Sequence, residues 1–139
     1  MRVRDENGGA LLEFAIIMPL LFILLFGIIE FGLIMFNQAV ITNASREGAR
    51  YGIVARAPRH TAPEITQVVM DYCADRLVTF GGPATPSVSA IPLDGTTLFG
   101  DDLEVQVTWL YTFFALPALP GIGLNNTITL SARTVMKYE

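Results

Sequence analysis

Between Phe14 and Phe36 the chain reads FAIIMPLLFILLFGIIEFGLIMF, twenty-three residues with one charge, Glu30. No other stretch limits the fold as strongly. A helix rising about 1.5 Å per residue would carry this run roughly 35 Å, enough to cross a hydrocarbon core of about 30 Å. Sixteen of its residues are Leu, Ile or Phe, each favouring insertion by about 0.3–0.6 kcal/mol. Their sum, roughly 5–10 kcal/mol, outweighs the cost of about 3 kcal/mol for a carboxylate near the bilayer centre. A cleaved secretory signal is the competing reading, with Arg2 and Arg4 as its basic end. Such a signal has an apolar core of only about 7–15 residues and closes on a small-x-small site. This run is longer and continues into NQAVITNAS. It is read as a retained membrane helix.

Nine Lys/Arg against thirteen Asp/Glu give a net charge of −4, which excludes a basic nucleic-acid-binding module. One cysteine excludes an intrachain disulfide, and one histidine excludes a multi-His metal site within the chain. The sequence has no G-x-S-x-G, no H-E-x-x-H, no phosphate-binding glycine loop with lysine and no C-x-x-C. The expectation is therefore a protein without enzyme activity, cofactor or small-molecule substrate. His60, beside Arg59, is read as a solvated loop residue. Asp94, Asp101, Asp102 and Glu104 bracket DGTTLFGDDLE. Without EF-hand spacing this reads as a solvated turn, with a calcium loop as the alternative.

Beyond the apolar run no proline interrupts the chain until Pro58, which disfavours helix at the residue before it. One helix reaching Ala57 is expected. On it Ala44, Gly48 and Gly52 form a small-residue stripe that admits close approach of another backbone, either of a partner or of the chain's own sheet. Arg46, Glu47 and Arg50 read as a solvated or headgroup-facing surface. Thr61-Ala62-Pro63-Glu64 is a capping box, and Ile65, Val68, Val69, Tyr72, Cys73, Leu77 and Phe80 follow at helical spacing. Gly81-Gly82-Pro83 closes that helix. Cys73 belongs to its apolar face as a small hydrophobe. Thr85–Ile91, bounded by prolines, suits a sheet edge. In Asp102–Phe114 and Thr127–Tyr138 apolar and polar residues alternate, as in an antiparallel sheet with one buried face. The fold class is α+β: a long N-terminal transmembrane helix extending into a small head, in which one amphipathic helix lies on a three-stranded antiparallel sheet. The apolar segment Ala115–Leu124 either folds over the sheet or is exposed to a partner.

Ahead of the apolar run, Gly8-Gly9-Ala10-Leu11-Leu12-Glu13-Phe14 places a carboxylate at the membrane edge, where an ionisable group needs a partner. If the chain were cut after Gly8, the new amine of Gly9 would lie four residues from Glu13. It could pair with Glu13 of its own chain or of a neighbour, in a first turn whose dipole favours an anion. A carboxylate snorkelling to water is the alternative. GGALLEF, then PLLFILLFGIIEFG, then NASREGARY resemble the TadE-like family of pilus assembly proteins. These are minor pilins or pseudopilins of the tight-adherence (Tad/Flp) system, a branch of the type IV pilus machinery. The resemblance runs from about Gly8 to Val54, and the closing VMKYE is weakly similar. Ser45 departs from a pattern that more often has alanine before REGAR, a change that bears on local packing.

The resemblance implies cleavage between Gly8 and Gly9 by a prepilin peptidase at the cytoplasmic face. It implies that Glu13, followed by Phe14, serves assembly and registration, with other pilin or pseudopilin subunits as partners. It also implies residence in the bacterial inner membrane with the C-terminal head outside the cytoplasm. The positive-inside count, Arg2 and Arg4 against Arg46, Arg50 and Arg56, points the other way by one arginine. A long translocated domain can set orientation regardless of so small a difference. Glu30 also matches the family pattern. It lies about 25 Å beyond Glu13, near the outer interface, within reach of headgroup water or a polar group on a neighbouring helix. The expected organisation is a leader over 1–8, a helix over 9–57 spanning the membrane at about 14–36, and a head over 58–139. The expected function is structural, in pilus priming or assembly. The alternative is an uncleaved single-pass signal-anchor protein whose head binds an envelope partner or ligand through Ala115–Leu124 and the small-residue stripe.

Overall fold

A computed structural model describes residues 5–82, 85–114 and 126–139, with side chains from residue 8 onward. Two helices precede three strands: α1 (Asp5–Ile53), α2 (Ala62–Ala74), β1 (Ser87–Pro92), β2 (Asp102–Thr112) and β3 (Thr127–Lys137). The sheet has the order β1-β2-β3 and is antiparallel throughout. The α+β arrangement expected from the two periodicities is the one observed.

α1 is a single helix of 49 residues, about 73 Å long at the usual rise, and it continues through Pro19. Its two halves have different surroundings. From Leu11 to Ile29 the large apolar side chains are exposed, and its most apolar window, of mean hydropathy 2.7, has none of its residues buried. Glu30 is the first residue along the helix to be buried, among the described residues. From there Asn37, Val40, Ile41, Ala44, Ser45, Gly48, Ala49 and Gly52 are buried at spacings of one, three, four and seven, so one face of the helix forms the floor of the head.

The other side of that core is the period-two face of β2, where Leu103, Val105, Val107, Trp109 and Tyr111 are all 2% exposed or less. Leu130 and Ala132 continue it on β3, and Ile65, Val69 and Cys73 of α2 cap it. The small-residue stripe lies inside this core. A Cβ on Gly48 would meet Val69 Cγ2 at 2.4 Å, and one on Gly52 would meet Leu103 Cδ2 at 2.5 Å and Ile65 Cδ1 at 2.6 Å. Of the two alternatives that the sequence left open, the stripe therefore meets the second, receiving the chain's own α2 and β2.

Two helix ends and one side-chain environment also differ from the sequence reading. α1 stops at Ile53, four residues short of Ala57. Its terminal carbonyls are taken from outside the helix: the Arg59 guanidinium donates to Ile53 O at 3.2 Å and to Val54 O at 3.1 Å, and the Glu139 N–H donates to Ile53 O. α2 starts where its capping box places it, with the Thr61 N–H donating to Glu64 Oε2 at 2.7 Å. It ends at Ala74, so Leu77 and Phe80 lie beyond it. In a longer helix the Val78 N–H would bond to the Ala74 carbonyl, but it donates instead to Asn37 Oδ1 at 2.9 Å, while Asn37 Nδ2 donates back to Val78 O at 3.0 Å. That side-chain amide pairs with Val78 as a strand neighbour would, and it draws the chain onto α1. Finally, His60 is not solvated. Its side chain is only 7% exposed and stacks on Tyr51 at 3.9 Å between ring centroids, beside Glu64 and Arg56.

Candidate assembly and membrane-interface site

Where the exposed half of α1 meets the head, the Glu30 carboxylate is buried to 1% exposure. Its Oε1 accepts the Tyr111 hydroxyl at 2.5 Å, and the Phe114 backbone N–H lies 3.1 Å from both carboxylate oxygens. The partners sit at and just past the end of β2, so the clamp pins the C-terminal end of the central strand to the helix. Burial, and secondarily the bond to Glu30, push the Tyr111 phenol well above its ordinary pKa. The neutral hydroxyl is thereby held as a donor. Two further polar contacts lie on the same face of α1. Asn37 holds Val78 as above, and the buried Ser45 hydroxyl meets Thr134 Oγ1 of β3 at 2.7 Å and Thr42 O at 2.9 Å. Glu30, Asn37 and Ser45 follow one another at intervals of seven and eight residues, two helical turns each.

The sequence reading placed Glu30 near the outer interface, within reach of headgroup water or a polar group on a neighbouring helix; among the described residues it is held by Tyr111 and Phe114 of its own chain. Asn37 and Tyr111 were missed. The available signal was the spacing of Asn37 from Glu30, because two polar residues seven apart in an apolar helix share a face. Ser45, noticed only as a departure from a family pattern, is a helix-to-sheet contact.

At the other end of α1 the geometry is open. Gly8 and Gly9 lie within the helix, and a Cβ on either would meet nothing within 4 Å. Glu13 is exposed and, among the described residues, makes no hydrogen bond or ion pair, while Phe14 is 59% exposed. The acidic turn is self-contained. Asp101 accepts from the Thr96 hydroxyl and the Leu98 N–H, Asp94 accepts the Asp102 N–H, Asp102 pairs with Lys137 at 2.9 Å and Glu104 with Arg133 at 2.5 Å. Among the described residues no cluster of potential ligands could hold a metal ion. Cys73 is buried, and that burial raises its thiol above the usual range. Residues 115–124, expected to form an apolar contact surface, lie outside the described residues, though the flanking Phe114 and Asn126 lie within them.

Residues 8–50 match the model of the TadE-like protein family. The match begins at the glycine pair, contains Glu13, Glu30, Asn37 and Ser45, and ends two residues before Gly52. The TadE-like segment is thus nearly all of α1, while α2 and the sheet that it organises lie outside the match. No curated protein and no solved structure matches the chain. The TadE-like match supports a component associated with the Tad pilus, anchored by a helix long and apolar enough to cross a membrane.

Proposed function

We propose that the chain is a structural, minor pilin-like subunit of a Tad-type pilus or secretion apparatus, anchored in the inner membrane with its head outside the cytoplasm. The observation that carries this is the division of one helix. Its first half, behind Gly8-Gly9 and Glu13, is apolar and exposed except at the half-buried Met18 and Gly27, and one face of its second half is packed into the core of its own head. A helix of that kind cannot withdraw from lipid except into contact with other helices.

A prepilin peptidase would cut between Gly8 and Gly9. Each glycine weakens the helix by about 1 kcal/mol relative to alanine, so the scissile segment unwinds at low cost. Cleavage leaves an ammonium on Gly9, one turn from the exposed Glu13 carboxylate. In an assembly of parallel helices displaced along their axes, the amine of one subunit can meet the Glu13 of another. The pair would bury as a neutral unit where an isolated charge could not, and it would set the axial register.

Coexpression with a prepilin peptidase should yield a mature chain whose N-terminal sequence begins at Gly9. A chain still beginning at Met1 would leave the signal-anchor reading in its place. With cleavage established, Glu13→Ala should reduce incorporation into the assembly by roughly tenfold or more, the equivalent of about 1.4 kcal/mol per contact, while membrane insertion is unchanged. Wild-type incorporation of that variant would exclude the amine–carboxylate pairing.

A further inference from the structure

The end of the head that carries the Glu30 clamp has a composition unlike the rest of it. Phe114, whose N–H rests on Glu30, is 53% exposed, and its ring lies 4.6 Å from that of Phe80, itself 42% exposed. Phe31, next to Glu30 on α1, is 65% exposed. Apart from Glu30, the surrounding segments 31–45, 77–82, 105–114 and 126–132 contain no Asp, Glu, Lys, Arg or His. The charges of the head lie elsewhere. Arg133, Glu104, Lys137 and Asp102 pair across the far half of the sheet. The charges that precede the uncharged segment 77–82 are Asp75 and Arg76, three and two residues before the Val78 that Asn37 holds. Asn37 is seven residues beyond Glu30, about 10 Å along the helix axis.

These depths match those of a bilayer. The exposed stretch Leu11–Ile29, apolar but for Glu13 in its first turn, is nineteen residues, about 28 Å, against a hydrocarbon core of about 30 Å. Each interfacial layer adds about 5–8 Å, close to the depth of the charge-free zone above Glu30. We infer that the base of the head, with Phe31, Phe80 and Phe114 around the Glu30 clamp, is a lipid-contacting collar seated in the interfacial layer of the bilayer that α1 spans. The clamp makes this depth tolerable, because the one carboxylate there is already hydrogen-bonded within the protein and need not be hydrated. Exposed phenylalanine rings that would be unfavourable in water are favourable at the acyl–headgroup boundary. The collar fixes how deep the head sits and limits its tilt on the membrane. This inference rests on α1 spanning a membrane, and the experiment separates the two.

The full chain is reconstituted into phosphatidylcholine/phosphatidylglycerol vesicles containing phospholipids brominated at different positions along the acyl chain, and tryptophan emission is recorded. The native Trp109, buried in the head, provides a constant background. Three single variants report depth: Ile23→Trp in the exposed helix, Phe80→Trp in the collar, and Phe99→Trp at an exposed position in the turn between β1 and β2. Phe80→Trp should lose its added emission mainly to bromines near the ester end of the acyl chain, Ile23→Trp mainly to bromines deep in the chain, and Phe99→Trp to neither. If Ile23→Trp is quenched and Phe80→Trp is not, the collar is overturned and the spanning helix stands. A blue-shifted but unquenched Phe80→Trp would place a second protein copy on the collar, which also overturns it. If Ile23→Trp is not quenched, the spanning reading itself fails.

Discussion

Gly48→Leu is expected to lower the melting temperature of the detergent-solubilised chain by roughly 10–20 °C. Leucine is a better helix former than glycine by nearly 1 kcal/mol, so on local propensity alone the substitution should stabilise α1. Packing decides the sign. The first carbon of the new side chain already falls 2.4 Å from Val69 Cγ2 and 3.5 Å from Val105 Cγ1. Val69 is fully buried and β-branched, so its χ1 cannot easily rotate away. α2 must lift from α1. Overpacking of this kind costs typically 1–3 kcal/mol and occasionally more, and a domain of this size loses about 4–8 °C per kcal/mol. Gly27→Leu on the same helix is the control: no atom lies within 4 Å of its added Cβ, and its melt should not fall. Equal melts for the two variants would mean that α2 does not rest on the stripe.

Glu30→Leu carries the second large effect, and its sign separates two views of that residue. As a carboxylate facing lipid, Glu30 would cost insertion about 3 kcal/mol, and leucine would improve the protein in every respect. As the clamp of the head, it satisfies a phenol and a backbone N–H in a buried setting. Removing it strands both donors, at about 1–3 kcal/mol each. The expected result is easier membrane insertion together with a head destabilised by about 3 kcal/mol or more, read by thermal or denaturant unfolding. Glu30→Gln, which retains an acceptor, should fall between the two. The raised pKa of Tyr111 adds a pH signature. A group whose pKa is higher folded than unfolded contributes stability that is complete below the unfolded value and is lost as pH rises through the folded one. The wild-type head should therefore weaken in strong alkali more steeply than Tyr111→Phe, which has no proton to lose there.

Much of this architecture can be read along the chain because it is periodic. The alternation from Leu103 to Tyr111 is the buried face of β2, and the apolar run from Phe14 onward is the exposed half of α1. Less legible were features set by a single distant partner. Leu77 and Phe80 fit the helical spacing of α2, yet Asn37, 41 residues away, takes the Val78 N–H that would have continued that helix. Tyr111 lies 81 residues from Glu30, and each is explicable alone, one as a core aromatic in a strand and the other as an interfacial acid. The small-residue stripe shows a third kind of ambiguity. Its spacing announces close approach, but the approaching surface can belong to the same chain or to another, and only the fold supplied Val69, Ile65 and Leu103. The segment Gly8 to Glu13 is known only through its resemblance, and among the described residues no atom lies within 4 Å of a Cβ added at Gly8 or Gly9.

The head is fastened to α1 at both extremities, by Glu30 at the foot and by Arg59 and Glu139 at Ile53. The fastenings are 23 residues apart, about 35 Å along the axis, with Asn37 and Ser45 between them. A tensile load on the helix would therefore meet these contacts in shear, sharing the force among them, instead of peeling them open one after another from a free end. A filament that incorporated such subunits would carry tension through the helix, and the head would yield as a single unit.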